Sequence, residues 1–211
     1  AGPTDIYKRV LESDAPQPIN SYGKSKKLAE DYALANKDKI NILIIRPPAV
    51  FGPAERDIFA YFKMVENNIA LIPERGELRF SIVYVRDLVA NTVALAETET
   101  VLSGEVFFIS CERDYSIVEF LDTLAAKINK RLIKIRVPIL ILKAIGNISE
   151  ICGSLLKKPM LLNGEKTLEL QKKYWVCSNR KLLNTLRAPV FTDTGAALLE
   201  TYKWYKEQHW L

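Results

Sequence analysis

The sequence predicts an α/β fold built around a parallel sheet, and three observations lead to this prediction. A helical pattern with small residues along it begins near Asn20 and leads through a short polar turn into the run INILII at residues 40–45. A continuous apolar run of this kind is typical of a strand that is buried on both faces. The run ends in Arg46-Pro47-Pro48, a rigid loop at the carboxyl end of the strand, where ligands of open α/β sheets bind.

Local patterns predict the remaining elements. Residues 1–19 are proline-rich and are expected to form a loop. Helices are expected at 21–37, 55–68, 87–97, 116–129, 178–186 and 194–208, and strands at 40–46, 70–73, 78–85 and 104–109. Ser116 followed by Glu119 indicates a capping box. Asp87 directly precedes an apolar helical pattern and is expected to cap that helix through its backbone donors.

Residues 138–157 carry apolar side chains at helical spacing. Polar residues and two glycines interrupt the segment, so a membrane-spanning helix is not expected. Three interpretations stay open: a helix packed on the core of its own lobe, a flap over an apolar substrate, and reversible contact with a membrane surface.

The most informative local feature is Tyr22, followed four residues later by Lys26. On a helix this spacing puts the phenol and the ammonium on one face, about one turn apart. A phenol has a pKa near 10, so its use as a base at neutral pH requires a lowering of roughly three units, or ~4 kcal/mol. An ammonium at about 4 Å supplies about that much at an effective dielectric constant near 20. The pair is therefore a candidate for proton transfer during oxidation of an alcohol or reduction of a ketone.

A second Tyr-x-x-x-Lys spacing occurs at Tyr202 and Lys206. The chain has 9 tyrosines and many lysines, so a chance occurrence of this spacing is expected. Only the first pair leads into a buried strand and a proline loop. We therefore interpret the second pair as an ordinary exposed helix face.

Four ordered motifs run through nearly the whole chain: YGKSKKLAE at 22–30, RPPAVFGP at 46–53, SIVYVRDLV at 81–89 and GEVFFI at 104–109, before a closing helix that starts at Thr194. As an ordered set they resemble the second half of an extended short-chain dehydrogenase/reductase, of the NAD-dependent epimerase/dehydratase family. The apolar segment near residue 140 and WVCS at 175–178 are most similar to the 3β-hydroxysteroid dehydrogenase and dihydroflavonol reductase branch of that family.

The resemblance implies a domain organisation. Residues 1–53 would be the end of a Rossmann-like doubly wound sheet that binds NAD or NADP. Residues 54–211 would form mostly a smaller α/β lobe that binds substrate, with late elements of the Rossmann-like sheet near 80–98.

The resemblance also implies site residues. Tyr22 and Lys26 would be catalytic and would contact the cofactor, Lys26 through the ribose hydroxyls. The loop expected to contact the nicotinamide carboxamide through backbone groups comprises Pro47, Pro48, Ala49 and Val50. Arg56 and Tyr84 are candidates for lining the substrate pocket.

Two features of this family do not occur in these residues. The 9 glycines are scattered, and no Gly-x-x-Gly-x-x-Gly is present to hold the cofactor pyrophosphate. The family's catalytic serine or threonine would lie just ahead of Ala1. We therefore interpret the chain as a C-terminal portion that is inactive alone. The residue that selects NAD or NADP belongs to the same missing part, so both cofactors stay open.

Composition excludes several other functions. The net charge of +5 is modest and no nucleic-acid-binding motif accompanies it, so a nucleic-acid partner is not expected. The densest basic cluster, between Lys127 and Arg136, is interpreted as a solvated edge, with a phosphate-bearing substrate as the alternative. A single histidine, His209, argues against a Ser-His-Asp triad or a histidine-based metal site. Three widely spaced cysteines predict reduced thiols in a cytoplasmic protein and no metal site.

The sequence thus predicts an NAD(P)-dependent oxidoreductase acting on a hydrophobic or modest-sized alcohol or ketone. The alternative enzyme is a nucleotide-sugar epimerase or dehydratase, and the alternative of another class is a non-catalytic sensor that binds cofactor or a partner. The intact Tyr22–Lys26 pair argues against the sensor. Without a neighbour the strand at 40–46 would expose an apolar sheet edge, so we expect a homodimer or association with an N-terminal half, and no stable membrane insertion.

Overall fold

The computed structural model describes residues 2–74, 78–138, 140–141 and 172–211. The apolar segment predicted at 138–157 therefore lies almost entirely outside the described residues, and its three interpretations stay open. The predicted division of the chain at residue 53 also stays a prediction.

All six helices predicted outside the segment at 138–157 are present, with ends that differ from the predicted ones by at most four residues. They are α1 (Ser21–Leu34), α2 (Phe59–Glu66), α3 (Val85–Ala96), α4 (Ile117–Lys127), α5 (Arg180–Thr185) and α6 (Thr194–Glu207). The strands are β1 (Leu43–Arg46), β2 (Ala49–Phe51), β3 (Ile69–Pro73), β4 (Arg79–Phe80), β5 (Ile82–Tyr84), β6 (Glu105–Phe108), β7 (Tyr115–Ser116), β8 (Ile133–Val137) and β9 (Tyr174–Trp175). The α/β fold class is confirmed.

Parallel pairing dominates the described strands. Strand β1 pairs with β6, β2 with β5, and β3 with β8, all in parallel. A small mixed sheet places β4 between β7, which is antiparallel to it, and β9, which is parallel. Parallel neighbours require crossover connections, so each pair draws together segments that are distant in the sequence.

The first predicted strand is shorter and less buried than its apolar run suggested. Only Leu43–Arg46 pairs as β1, all four residues are half-buried, and Ile40 is 62% exposed. Within the described residues β1 has β6 as its one neighbour, so its other edge is not covered. The apolar run predicted a strand buried on both faces, but the described part of the chain covers β1 only partly.

Of the two helix caps predicted from the sequence, one is present and one is not. Ser116 and Glu119 form the predicted capping box: the Glu119 backbone N–H donates to the Ser116 hydroxyl, and the Ser116 N–H donates to the Glu119 carboxylate. The predicted cap at Asp87 is wrong, because α3 already begins at Val85 and Asp87 lies buried within its first turn. A carboxylate inside the helix is free to bind another segment.

Asp87 instead holds the segment that leads into α6. Its carboxylate accepts hydrogen bonds from the backbone N–H of Thr192 at 2.8 Å and from the Thr192 hydroxyl at 2.6 Å. One turn later Asn91 exchanges side-chain bonds with the backbone N–H and C=O of Val190, at 2.9 and 2.8 Å. The two side chains therefore join α3 to residues 190–192.

We expect Asp87→Ala to lower the free energy of unfolding of the full-length protein by about 1–2 kcal/mol, because it leaves two partly buried donors of Thr192 without an acceptor. Denaturant unfolding measures the change. Asp38→Ala, at an exposed aspartate, is the control and should stay within about 0.5 kcal/mol of wild type. Equal stability of the two variants would contradict the anchoring role of Asp87.

Aromatic side chains pack against one another in the largest hydrophobic cluster of the described residues. Tyr205 of α6 is fully buried, stacks on Trp210 with ring centroids 5.6 Å apart, and packs against Phe59 and Phe62 of α2. Its hydroxyl donates to the backbone oxygen of Glu55 at 2.6 Å. The predicted closing helix is therefore part of the core.

The second Tyr-x-x-x-Lys pair is a structural contact and not an exposed face. The Tyr202 hydroxyl donates to Glu66 at 2.8 Å, and the Lys206 ammonium donates to the same carboxylate at 3.2 Å. The Lys130 ammonium lies 3.4 Å from the same carboxylate. Partial burial pushes the pKa of Glu66 upward, but the hydrogen bonds from Tyr202, Lys206 and Lys130 outweigh it and hold that pKa below its ordinary value.

A depressed pKa means that this cluster stabilises the fold above the ordinary carboxyl pKa and ceases to do so as the pH falls through the folded-state value. We therefore expect Glu66→Gln to flatten the loss of Tm of the full-length protein between about pH 6 and about pH 3. Thermal denaturation across that range measures it. Glu99→Gln, at an exposed glutamate, should keep the wild-type slope; a wild-type slope in Glu66→Gln itself would refute the assignment.

Candidate functional site

The start of α1 is built by its cap and by a close backbone approach. The Asn20 side chain accepts a hydrogen bond from the Gly23 backbone N–H at 2.7 Å. A Cβ at Gly23 would lie 2.9 Å from both the Asn20 side chain and Pro18, so the position next to Tyr22 has room only for glycine. The sequence Asn-Ser-Tyr-Gly therefore sets where the helix begins and which face carries Tyr22.

Tyr22 and Lys26 lie together on an open face of α1. The Lys26 ammonium is 5.5 Å from the centre of the Tyr22 ring, and the Tyr22 side chain is 68% exposed. No carboxylate among the described residues pairs with Lys26. The predicted juxtaposition is present, with the ammonium over the ring, and both polar ends are accessible to a ligand.

A half-buried ion pair fixes α1 on β1. Arg46, the last residue of β1, binds Glu30 through two bonds, Nε to Oε2 at 3.0 Å and Nη2 to Oε1 at 2.5 Å. A two-bond arginine–carboxylate contact fixes direction as well as distance. Because Tyr22 is eight residues before Glu30, it lies ~12 Å further along α1, towards the carboxyl end of β1. The sequence showed Arg46 only as the start of a loop.

The predicted nicotinamide loop follows at the same edge. Pro47 and Pro48 form the connection, whereas Ala49 and Val50 belong to the short strand β2, which pairs with Ile82 and Val83. Gly52 has a φ of 150°, and a Cβ there would meet Val85 at 2.4 Å, so only glycine allows this close approach. Half of the predicted loop is thus held in register by β5.

The two candidate substrate residues lie near the C-terminal helix. The Arg56 guanidinium is 5.6 Å from the ring centre of Trp210. Tyr84 is buried beside Phe51, and its hydroxyl has no hydrogen-bond partner among the described residues. Burial, with the Glu200 carboxylate as a further cause, raises the pKa of Tyr84 to about 12. A substrate contact by Arg56 or Tyr84 stays a prediction.

Sequence reasoning missed a buried polar cluster around Asp114. Its carboxylate accepts from Arg9 Nε at 2.8 Å, from the Tyr7 hydroxyl at 3.0 Å and from the Ser81 hydroxyl at 2.6 Å. The Ser81 oxygen in turn accepts from the Cys177 backbone N–H at 3.0 Å. The four segments are far apart in the sequence, and no local pattern relates them.

A shallow cavity of about 520 Å³ lies elsewhere, between residues 11–13 and the start of β6, next to Lys181. It contains none of the predicted site residues. Among the described residues there is no cluster of side chains suited to hold a metal ion. None of the described helices has the length and apolar character needed to cross a membrane.

The parallel strands, the helix with Tyr22 and Lys26, and the proline loop after β1 are together typical of an extended short-chain dehydrogenase/reductase. The chain belongs to the 3-beta hydroxysteroid dehydrogenase/isomerase family, whose model matches residues 11–139. The resemblance predicted from the motifs is confirmed.

Two characterised relatives differ in the reactions that their names describe. A ceramide reductase from Caulobacter vibrioides (strain NA1000 / CB15N) is 25% identical over 212 residues, which cover 100% of this chain and 65% of that protein. A UDP-glucose 4-epimerase from Vibrio cholerae is 30% identical over 139 residues, which cover 64% of this chain and 42% of that protein.

A solved structure supports the fold. The dTDP-glucose 4,6-dehydratase from Bacillus anthracis str. Ames, in complex with NAD, superposes with a TM-score of 0.72 at 15% identity. The match covers 99% of this chain and 59% of that one. The chain thus spans less than two thirds of the length of each of these three proteins.

Proposed function

We propose that the protein is an NAD(P)-dependent oxidoreductase that uses Tyr22 and Lys26 to interconvert an alcohol and a ketone. The observation that carries the proposal is the open Tyr22–Lys26 face of α1, directed towards the carboxyl end of β1 by the Arg46–Glu30 contact. Ligands of open α/β sheets bind at that end of the strands.

The residues present fit one half of a dinucleotide. Lys26 is an ammonium without a carboxylate partner among the described residues, which suits ribose hydroxyls, and residues 47–50 run along the same edge of the sheet. Gly-rich backbone for the pyrophosphate does not occur in this sequence. NAD or NADP, when bound, supplies the hydride acceptor or donor. The family and the NAD-bound dehydratase structure support this assignment; the choice between NAD and NADP stays open.

Tyr22 is the proposed proton carrier. In the oxidative direction its phenolate accepts the proton of the substrate hydroxyl as that hydroxyl becomes a carbonyl; in the reductive direction the phenol returns the proton. The positive charge of Lys26 stabilises the phenolate, and its ammonium lies 5.5 Å from the centre of the Tyr22 ring. The exposure of Tyr22 leaves room for a substrate oxygen at its hydroxyl.

A hydrophobic alcohol or ketone is the proposed substrate class. The relative that covers the whole chain is a ceramide reductase, which supports an apolar substrate, and the apolar residues at 138–157 favour the same class. The second candidate is a nucleotide-sugar epimerase or dehydratase, favoured by the higher identity to the UDP-glucose 4-epimerase over a shorter region. The sensor alternative has no observation in its favour, since the Tyr22–Lys26 pair is intact.

We also propose that α1 is covered in the whole protein, by an N-terminal half or by a second copy of the chain. None of its 14 residues is buried here, and Leu28 and Tyr32 are largely exposed apolar side chains. Apolar surface of this kind on a regular helix is typical of an interface.

A ligand screen of the full-length protein tests these proposals. Absorbance and fluorescence of the purified protein report bound nicotinamide cofactor. A thermal-shift screen with cofactor present then compares ceramides, sterols and flavanones with nucleotide sugars. We expect stabilisation by one of the apolar ligands. Stabilisation by nucleotide sugars alone would favour the epimerase instead, and failure to bind either cofactor would contradict the oxidoreductase.

A further inference from the structure

Residues 4–14, which we call the strap, make two isolated β-bridges with β9 and the residues after it, Thr4 antiparallel to Tyr174 and Val10 parallel to Cys177. The Thr4 backbone N–H donates to the Tyr174 oxygen at 2.9 Å, and the Val10 N–H donates to the Val176 oxygen at 2.9 Å. The Ser178 N–H returns a bond to the Val10 oxygen at 2.9 Å. The strap therefore has a defined path over residues 174–178.

The strap also crosses the ligand-binding edge of the sheet. Arg46 and Phe108 are the last paired residues of β1 and β6. The Phe108 backbone N–H donates to the Glu12 carboxylate at 3.0 Å, and Arg46 Nη1 donates to the Glu12 backbone oxygen at 3.4 Å. The strap thus lies at the same end of β1 as the Tyr22 face and the proline loop.

A buried carboxylate anchors the middle of the strap. Asp114 is 7% exposed and accepts from Arg9 Nε, from Tyr7 and from Ser81. An isolated buried carboxylate is strongly unfavourable, so its position requires these donors. Conversely, removal of the carboxylate leaves Arg9 without its short ionic contact.

The Arg9 guanidinium has N–H groups that are not used in its contact with Asp114. Its side chain is 38% exposed while that of Asp114 is almost fully buried. Nη2 makes one long contact of 3.5 Å with the Glu112 backbone oxygen, and the Tyr7 hydroxyl also interacts with the guanidinium. A planar guanidinium fixed through Nε presents its remaining N–H groups in a set direction, which is the arrangement that recognises an oxygen-rich group.

We propose that Arg9 is a specificity-determining residue that binds the polar part of the substrate, and that Asp114 is the positioning residue that orients Arg9. The proposal rests on the oxidoreductase function proposed above and adds to it a recognition point on the strap. Tyr22 acts on the reacting hydroxyl or carbonyl, and Arg9 selects substrates that carry further oxygen atoms near it.

Kinetics of the full-length protein with the substrate found in the screen test this assignment. Arg9→Gln is expected to raise the substrate KM about tenfold, with kcat and cofactor Kd within twofold of wild type. Asp114→Asn should also raise the substrate KM. The KM of the double variant should be no higher than that of the single variant with the higher KM. The control is Lys8→Gln, the neighbouring strap residue paired with Asp14 at 3.6 Å, which should leave KM unchanged.

Hydrogen exchange of backbone amides tests whether Asp114 holds the strap in place, and it does not depend on enzyme activity. Asp114→Asn should accelerate exchange of the Thr4 and Val10 amides at least fivefold, and Lys8→Gln should not. Unchanged exchange in Asp114→Asn, or an unchanged KM in Arg9→Gln with a lowered Tm, would overturn the proposal. Tyr22→Phe distinguishes the two proposals: if it stays active while Arg9→Gln raises KM, the proton carrier is misassigned and the recognition point holds.

Discussion

Replacement of Tyr22 by phenylalanine in the full-length protein is expected to reduce turnover by about a hundredfold to ten-thousandfold, the usual contribution of one positioned proton-transfer group. Cofactor affinity should change little, because the phenol offers the cofactor only one contact. The hydroxyl is the only group removed, and the side chain is 68% exposed, so folding should be unaffected. Steady-state rates and calorimetric titration of the cofactor measure both quantities.

Two matched variants sharpen this test. Lys26→Ala should weaken both turnover and cofactor binding, because in the proposed mechanism one ammonium stabilises the phenolate and binds the ribose. Lys24→Ala removes an ammonium from an exposed lysine on the same helix, and should behave as wild type. Wild-type turnover in Tyr22→Phe would show that another group carries the proton.

A protein made of these 211 residues alone is expected to be inactive and to bind NAD and NADP with millimolar Kd or weaker. The only cofactor contacts that we propose for these residues are those of Lys26 and of residues 47–50, whereas the pyrophosphate needs a glycine-rich turn and a helix N-terminus. Two or three such contacts barely exceed the ~4 kcal/mol or more lost in translational and rotational freedom. Calorimetric titration of each cofactor gives the affinity.

The same protein is expected to self-associate. The outer edge of β1 has no partner strand among the described residues, and α1 buries none of its side chains. Unpaired strand edges and apolar helix faces favour contact with another chain. Light scattering gives the mass. Micromolar cofactor binding by a monomer would show that the missing contacts are supplied by residues other than those expected.

Much of the fold was predictable because its signals are local. The capping box at Ser116 follows from the chemistry of two side chains three residues apart, and it is present. Helix α1 with Tyr22 and Lys26 on one face follows from a spacing of four, and the pair is in contact. The proline loop after β1 follows from the geometry of proline itself.

Predictions failed where a long-range contact overrode a local pattern. Asp87 has the sequence context of a cap, yet its carboxylate binds Thr192, 105 residues away. The strand at 70–73 is present as predicted, but its parallel pairing with residues 133–137 of β8 joins distant parts of the chain and was not predicted. Tyr202 and Lys206 have the sequence pattern of an exposed helix face. In the structure both side chains instead donate hydrogen bonds to the carboxylate of Glu66.

The sequence by itself determined the α/β class, the six helices, the family resemblance and the Tyr22–Lys26 pair, because each helix and each motif depends on side chains within a few residues of one another. Only the tertiary structure decided that Arg46 orients α1 through Glu30, and that Asp114 gathers Tyr7, Arg9 and Ser81. A charged group is buried only when its partners are brought to it, and those partners come from distant parts of the chain. Their meeting is a property of the folded molecule, which no spacing in the sequence encodes.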